Sequence, residues 1–153
     1  VVEYWDIKNI SDTGLRWVTD LLMEFGKEYA APCGANPEDI ERLLNAVKKS
    51  GIGYAAFNDD GDCVGAIGGI RHRNLFNSSL EMLGEVYFYV AKDHRGSSVG
   101  GRLLNMYLEE AERLKLNVTM VALTTTPPGL ERLLLRKGFE KREINYVLWA
   151  PCD

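Results

Sequence analysis

Residues 85–104 read Glu85-Val86-Tyr87-Phe88-Tyr89-Val90, Ala91-Lys92-Asp93-His94, then Arg95-Gly96-Ser97-Ser98-Val99-Gly100-Gly101-Arg102-Leu103-Leu104. The first six residues are a strand by composition, aromatic and β-branched with no breaker. The last ten are a turn of small residues feeding a helix, whose apolar positions Val99, Leu103, Leu104, Tyr107, Leu108, Ala111 and Leu114 recur at helical spacing. A strand, a glycine-rich turn and a helix make an anion site. The free amides of the first helical turn point outward, and the helix dipole adds positive potential there. Glycines at this place let a diphosphate touch the backbone.

Two named phosphate motifs fail. A P-loop needs Lys followed by Ser or Thr after its last glycine, and Gly101 is followed by Arg102-Leu103. The dinucleotide fingerprint needs a glycine spacing that Gly96, Gly100 and Gly101 do not have. A third pattern fits. Val90, then Arg95-Gly96, Gly100 and a Leu-Leu helix resemble the acetyl-CoA-binding segment of the GNAT N-acetyltransferases, with Ser98 where the middle glycine is usual. Arg136-Lys137-Gly138-Phe139, after a short helix from Leu130, resembles the same family's Gly-Phe strand start. The resemblance covers roughly residues 50–149.

The chain has 153 residues, 46% hydrophobic and 26% charged, which suggests one globular domain over residues 1–153. A net charge of −4 leaves no basic footprint for nucleic acid or an anionic membrane. No apolar run approaches the length of about 18 residues that a membrane span needs, and no signal-peptide pattern is read at the N-terminus. Cys33, Cys63 and Cys152 lie far apart, and His72 and His94 have no ligand spacing. Reduced thiols, a cytoplasmic location and no metal are expected.

In order, Val2–Ile7 is a strand candidate and Ser11 or Asp12 a helix cap. Leu15, Val18, Leu22, Phe25 and Tyr29 form the first helix's apolar stripe. Asn36-Pro37-Glu38-Asp39 is a cap, a first-turn proline and two acids at the positive end of a second helix, which Gly51 ends. Strands follow at Gly53–Phe57 and Cys63–Ile70, joined by a turn at 58–62. A polar loop spans Arg71–Leu80. The Glu85 strand and its helix come next, then a strand at Val118–Leu123, a short helix at Leu130–Arg136 and a last strand at Ile144–Trp149. The order β-α-α-β-β-β-α-β-α-β predicts an α/β chain with an α+β mixed sheet, and it is also the order of the GNAT fold. In that family the strands ending near Val90 and starting near Val118 splay apart around the acyl cofactor.

The resemblance implies acetyl-CoA as cosubstrate and acetyl transfer to a primary amine of a small molecule or peptide. Tyr89 and Val90 at the strand end, Arg95, Gly96, Ser97, Ser98, Val99, Gly100 and Gly101 in the turn, and Thr124 after the next strand are the expected cofactor residues. Val90 would act through its N–H on the thioester carbonyl, or is simple core. Thr124 and Thr125 would bond pantetheine amides, or cap a turn. Glu85 is the general-base candidate, because an acid inside an aromatic strand has its pKa raised by burial. The alternatives are that it faces solvent or pairs with Arg71 or Arg73, and Glu81 is its weaker substitute. Many family members carry a proton-donating tyrosine four residues before the Gly of Gly-Phe, where this chain has Leu134. Either water or another tyrosine, Tyr87, Tyr89 or Tyr146, then serves, or protonation of the thiolate is not assisted; each of these tyrosines is otherwise a core or strand-pairing residue, and Tyr146 is singled out by its place on the last strand. The basic loop at Arg71–Arg73 would select an acidic acceptor. A homodimer through the last strand is compatible with the resemblance. The competing expectation is a non-catalytic acyl-CoA-binding module on the same fold.

Overall fold

A computed structural model describes residues 1–29, 34–122, 128–150 and 152. The elements are β1 (Glu3–Asp6), α1 (Asp12–Tyr29), α2 (Pro37–Ser50), β2 (Gly51–Phe57), β3 (Cys63–Arg73), β4 (Glu81–Val90), α3 (Val99–Arg113), β5 (Val118–Met120) and α4 (Pro128–Arg136), with single 3-10 turns at Ile7–Asn9 and Lys92–His94. The sheet runs β1-β2-β3-β4-β5. The first three pairings are antiparallel and β4–β5 is parallel, with α3 as the crossover.

The helices start where their caps place them. Ser11 Oγ accepts from the Gly14 amide at 3.2 Å, and Asn36 Oδ1 accepts from the Glu38 amide at 2.9 Å, just before Pro37 opens α2. Two cores follow from a sheet covered on both faces. On one, α1 and α2 lay Val18, Leu22, Leu44 and Val47 against Ala55, Tyr87 and Tyr89. On the other, α3 and α4 lay Leu103, Leu104, Tyr107 and Leu134 against Ile52, Ala56, Ile67 and Leu83. Strand β2 is buried along its whole length, as a strand with both faces covered must be.

Four expectations change. Gly51 ends α2 as expected, but strand β2 already begins there rather than at Gly53. The lack of a side chain at Gly51 serves strand approach: a Cβ there would lie 2.0 Å from the Gly69 carbonyl oxygen. Arg71, His72 and Arg73 belong to β3 rather than to a loop, and Arg71 is paired with Glu81 on β4. The polar connection shrinks to residues 74–80, with Leu75 and Phe76 exposed at its tip.

The last strand does not form. Residues 139–150 carry no sheet pairing, and Ile144, Tyr146, Val147, Leu148 and Trp149 are exposed. Helix α4 ends as the Gly-Phe pair dictates: Gly138 takes φ +90°, its amide donates to Leu135 O and the Phe139 amide to Leu134 O.

Nor are all the thiols reduced. Cys152 is disulfide-bonded, whereas Cys63 is a free thiol that burial pushes up to about 12. The cysteine argument for a reducing compartment therefore falls. Among the described residues no helix is long and apolar enough to cross a membrane, and no cluster of potential ligands could hold a metal ion.

Candidate active site

Strand β4 changes its role halfway along. Its parallel register with β5 stops at Gly84 opposite Met120, so among the described residues Glu85–Val90 has no strand partner on that side. This is the splay that the family resemblance implies. Toward β3 the strand stays paired, but Gly68 faces Tyr87 and Gly69 faces Glu85, which leaves Val86 as an extra residue. The bulge switches faces. Leu83 belongs to the α3 core and Tyr87 to the α1–α2 core, though strict alternation would put both on one side. Glu85, two residues after Leu83 and before the bulge, stays on the α3 side.

Backbone polarity at the strand end follows from one bond. The Ala91 amide donates to Val64 O at 2.9 Å, so Ala91 faces β3. By antiparallel alternation the peptide groups of Val90 and Phe88 face the open side.

The gap is a cleft of about 560 Å³. Glu85, Val86, Phe88, Tyr89 and Val90 line it from β4, His94 to Ser97 with Gly100 and Gly101 from the turn and α3, and Phe25 and Tyr29 from α1. Ala122 and Leu133 close it from beyond β5 and from α4. The turn is shaped for close contact. Gly96 takes φ +79°, a conformation that disfavours any side chain, and a Cβ on Gly96 or Gly101 would meet nothing within 4 Å. Ser97 Oγ accepts from the Val99 amide at 3.3 Å. The amides of Gly100 and Gly101, in the first turn of α3, have no acceptor within the helix and open onto the cleft. Ser98 is exposed at the helix start and Val99 is buried beneath it. Such a cradle of bare backbone at a positive helix end fits a diphosphate. Thr124 lies outside the described residues.

Arg95 does not present its guanidinium to the cleft as a free cation. It forms a two-pronged ion pair with Glu28 of α1 at 2.7 and 2.8 Å, donates from Nε to Val90 O at 3.0 Å, and lies over the Tyr89 ring. Tyr89 Oη donates to the same carboxylate at 2.7 Å. The Arg95 guanidinium, assisted by the Tyr89 and Tyr29 hydroxyls, holds the Glu28 carboxyl at about 2 against its residual burial. Burial, then the Glu28 carboxylate, pushes Tyr89 up to about 12. This brace joins residues 61 and 67 positions apart, and nothing in the local sequence around Glu28 announced it.

Glu85 sits at the mouth of the splay. Its Oε2 accepts from the Ala122 amide at 3.1 Å, across the gap where β5 has left the sheet. Burial raises its carboxyl to about 7, with the Ala122 amide pulling the other way. It pairs with neither Arg71 nor Arg73: Arg71 holds Glu81, and Arg73 donates to Ser78 O. Tyr146 is not brought here. It is 92% exposed on the tail and does not line the cleft. Leu134, at the position of the expected tyrosine, is buried in the α3 core.

Fold and cleft together define a mixed-sheet domain whose central sheet opens beside the bare N-terminus of a helix. A sequence profile of the acetyltransferase (GNAT) family matches residues 17–139, and the chain belongs to that family. Solved structures with similar folds include an acetyltransferase from Trypanosoma brucei, at 13% identity over 98% of this chain and 100% of that one with a TM-score of 0.73. Glucosamine-6-phosphate N-acetyltransferase from Arabidopsis thaliana is another, at 8% identity over 97% and 98% of the two chains and a TM-score of 0.72. A third is AAC(6')-Iy in complex with the bisubstrate analogue CoA-S-monomethyl-acetylneamine, at 13% identity over 99% of both chains and a TM-score of 0.68. At these identities the likeness speaks for the fold. No curated protein sequence matches the chain.

Proposed function

We propose that the protein transfers the acetyl group of acetyl-CoA to a primary amine of a small molecule or peptide by direct attack, with Glu85 as general base. The observation that carries this is the place of Glu85: a largely buried carboxyl at the open end of the splay, raised to about 7, on the wall of the cleft that the α3 N-terminus also lines. A base of that pKa is half ionised at neutral pH and still strong enough to take a proton as the amine attacks. When bound, acetyl-CoA supplies the acetyl group as an activated thioester.

The chain's own groups do the rest. The amides of Gly100 and Gly101, with the bare backbone of Gly96, hold the diphosphate. Ser97, Ser98 and Val99 set the course of that turn. Arg95 contributes by fixing the turn to α1 through Glu28 rather than by touching phosphate with its guanidinium. Tyr89 completes that brace as part of the cleft wall. The Val90 amide, on the open side of β4, is placed to donate to the thioester oxygen as negative charge develops there. No protein acid is required for the leaving sulfur, because a thiol with a pKa of about 8.5 departs readily as thiolate near neutral pH. Tyr146 then has no step to serve.

Glu85→Gln tests the proposal. It should lower kcat by about 10²–10⁴-fold while leaving the affinity for acetyl-CoA within a factor of about two, since the carboxyl does not face the phosphate cradle. Unchanged turnover would remove Glu85 from the mechanism. The second reading, a non-catalytic acyl-CoA-binding module, is favoured by Leu134 standing buried where relatives keep a donor. It predicts acetyl-CoA binding, seen as a rise in melting temperature, with no turnover on any amine of a broad panel.

A further inference from the structure

Two phenols inside this protein have no hydrogen-bond partner among the described residues, Tyr87 Oη and Tyr107 Oη, and both side chains are fully buried. A tyrosine kept in a core usually finds a partner for its hydroxyl, because an unpaired buried hydroxyl is costly. Phenylalanine would fill either site without that cost. The two phenols lie on opposite faces of the sheet, Tyr87 in the α1–α2 core and Tyr107 in the α3 core. The one on the α3 side shares its face with Glu85.

Three observations place Tyr107 beneath Glu85. Helix α3 carries its phenol up to Gly69, where a Cβ would lie 2.1 Å from Tyr107 Oη, so the glycine is what makes room for the hydroxyl. Gly69 is the register partner of Glu85 across β3 and β4, and directly opposed Cβ positions in such a pair lie about 5 Å apart. Leu83 Cδ1 and the Gly84 carbonyl oxygen border the same point above Gly69, at 3.1 and 2.8 Å, so the hydroxyl reaches the stretch of β4 immediately before Glu85. The electrostatic influence of Glu85 on Tyr107 also raises the phenol's pKa, after burial. The other titratable groups facing this region are Tyr87 on β4 itself and His72 of β3, whose imidazole lies over Gly84 on the opposite face. The segment after β5 presents the Ala122 amide, and α4 presents Leu133 to the cleft.

We infer that Tyr107 is a positioning residue for Glu85, its buried phenol supplying the inner hydrogen-bonding partner that the carboxyl reaches by rotating away from the Ala122 amide. A phenol suits both states of the glutamate: it donates to the carboxylate and accepts from the protonated acid. Glu85 thereby alternates between an outer position on the cleft and an inner one against α3, without a charged partner in either. This inference rests on the general-base proposal only for its catalytic consequence; the contact itself is independent of it.

The test is a titration of the Glu85 carboxyl, followed by carbon NMR of glutamate labelled in the side-chain carboxyl and assigned by the signal lost in Glu85→Gln. Tyr107→Phe should raise its midpoint by about one pH unit, since the phenol's charge-assisted bond to the carboxylate is stronger than the one it accepts from the protonated acid. Tyr87→Phe removes an equally buried phenol from the other face and should leave the midpoint in place. The acid limb of kcat/KM should move with the midpoint in Tyr107→Phe. A midpoint that stays put in Tyr107→Phe, or moves equally in both variants, overturns the inference. A midpoint that moves while the rate profile does not would keep Tyr107 as the partner and instead remove Glu85 as the base. Tyr87→Phe deletes an unpaired oxygen and should fold at least as stably as the parent, and thermal melts check that Tyr107→Phe is folded before its midpoint is read.

Discussion

Glu85 stands at the open end of β4, where its Oε2 accepts from the Ala122 amide at 3.1 Å. An acid inside Glu85-Val86-Tyr87-Phe88-Tyr89-Val90 is conspicuous in any reading, and the structure gives the anomaly a cause: the strand loses its neighbour one residue earlier. Its raised pKa has a consequence for stability. Between the ordinary carboxyl value of 4.5 and its own value of about 7, Glu85 binds its proton more tightly in the folded state than in the unfolded one. Stability from this group is therefore greatest below 4.5, declines as pH rises to 7, and is flat above. Glu85→Gln removes the decline, so at pH 8 the variant should be more stable than the parent by on the order of 2 kcal/mol after allowance for partial exposure, and equal to it below 4.5. Urea melts at both pH values check this. The same ionisation should make kcat/KM rise through pH 7.

At the scale of elements, the brace between α1 and the turn before α3 has the opposite pH signature. The Arg95 guanidinium holds the Glu28 carboxyl at about 2 in the folded state, below the ordinary 4.5. The stability it contributes is present above 4.5 and is lost as pH falls toward 2. Arg95→Gln should therefore destabilise the protein at pH 7, with the difference from the parent narrowing below 4.5. A double-mutant cycle with Glu28→Gln should return a coupling of about 1 kcal/mol at neutral pH. The first turn of α3 offers a prediction in which two effects part company. A Cβ at Gly100 would meet Val90 Cγ2 at 3.5 Å, ordinary contact, so alanine fits. Gly100→Ala should raise the melting temperature of the free protein, because alanine favours a helix over glycine by about 1 kcal/mol. Under the proposed cofactor site it should also shrink the further rise produced by acetyl-CoA, because the methyl group would crowd the helix end proposed to hold the diphosphate. Scanning calorimetry with and without the ligand reads both.

For the whole molecule, the C-terminal tail sets the open problem in stability. Five large apolar side chains between Ile144 and Trp149 are exposed, while the Lys141–Glu131 ion pair and the Cys152 disulfide tie the tail down. A disulfide typically contributes about 2–4 kcal/mol, mostly by restricting the unfolded chain. Reductant should lower the melting temperature of the parent and leave that of Cys152→Ser unchanged, with the cleft beside β4 intact in both. The sheet itself should not respond, since its cores are built from residues 7–134.

Local chemistry alone was enough to determine the caps at Ser11 and Asn36, the strand-turn-helix at residues 85–104 and the Gly138-Phe139 helix end, because each depends on a few adjacent residues. The mixed sheet was legible from the order of elements, and the family from Arg95, Gly96 and Gly100 before a Leu-Leu helix together with Gly138-Phe139. The bulge at Val86, the brace from Glu28 to Arg95 and the seating of Tyr107 over Gly69 were decided by tertiary packing. They join residues far apart in the chain, and no local preference says which distant partner a strand edge, a carboxylate or a phenol will meet. The expected last strand failed for the same reason: Ile144–Trp149 has the composition of a strand, but a strand exists only where a neighbour's edge accepts it.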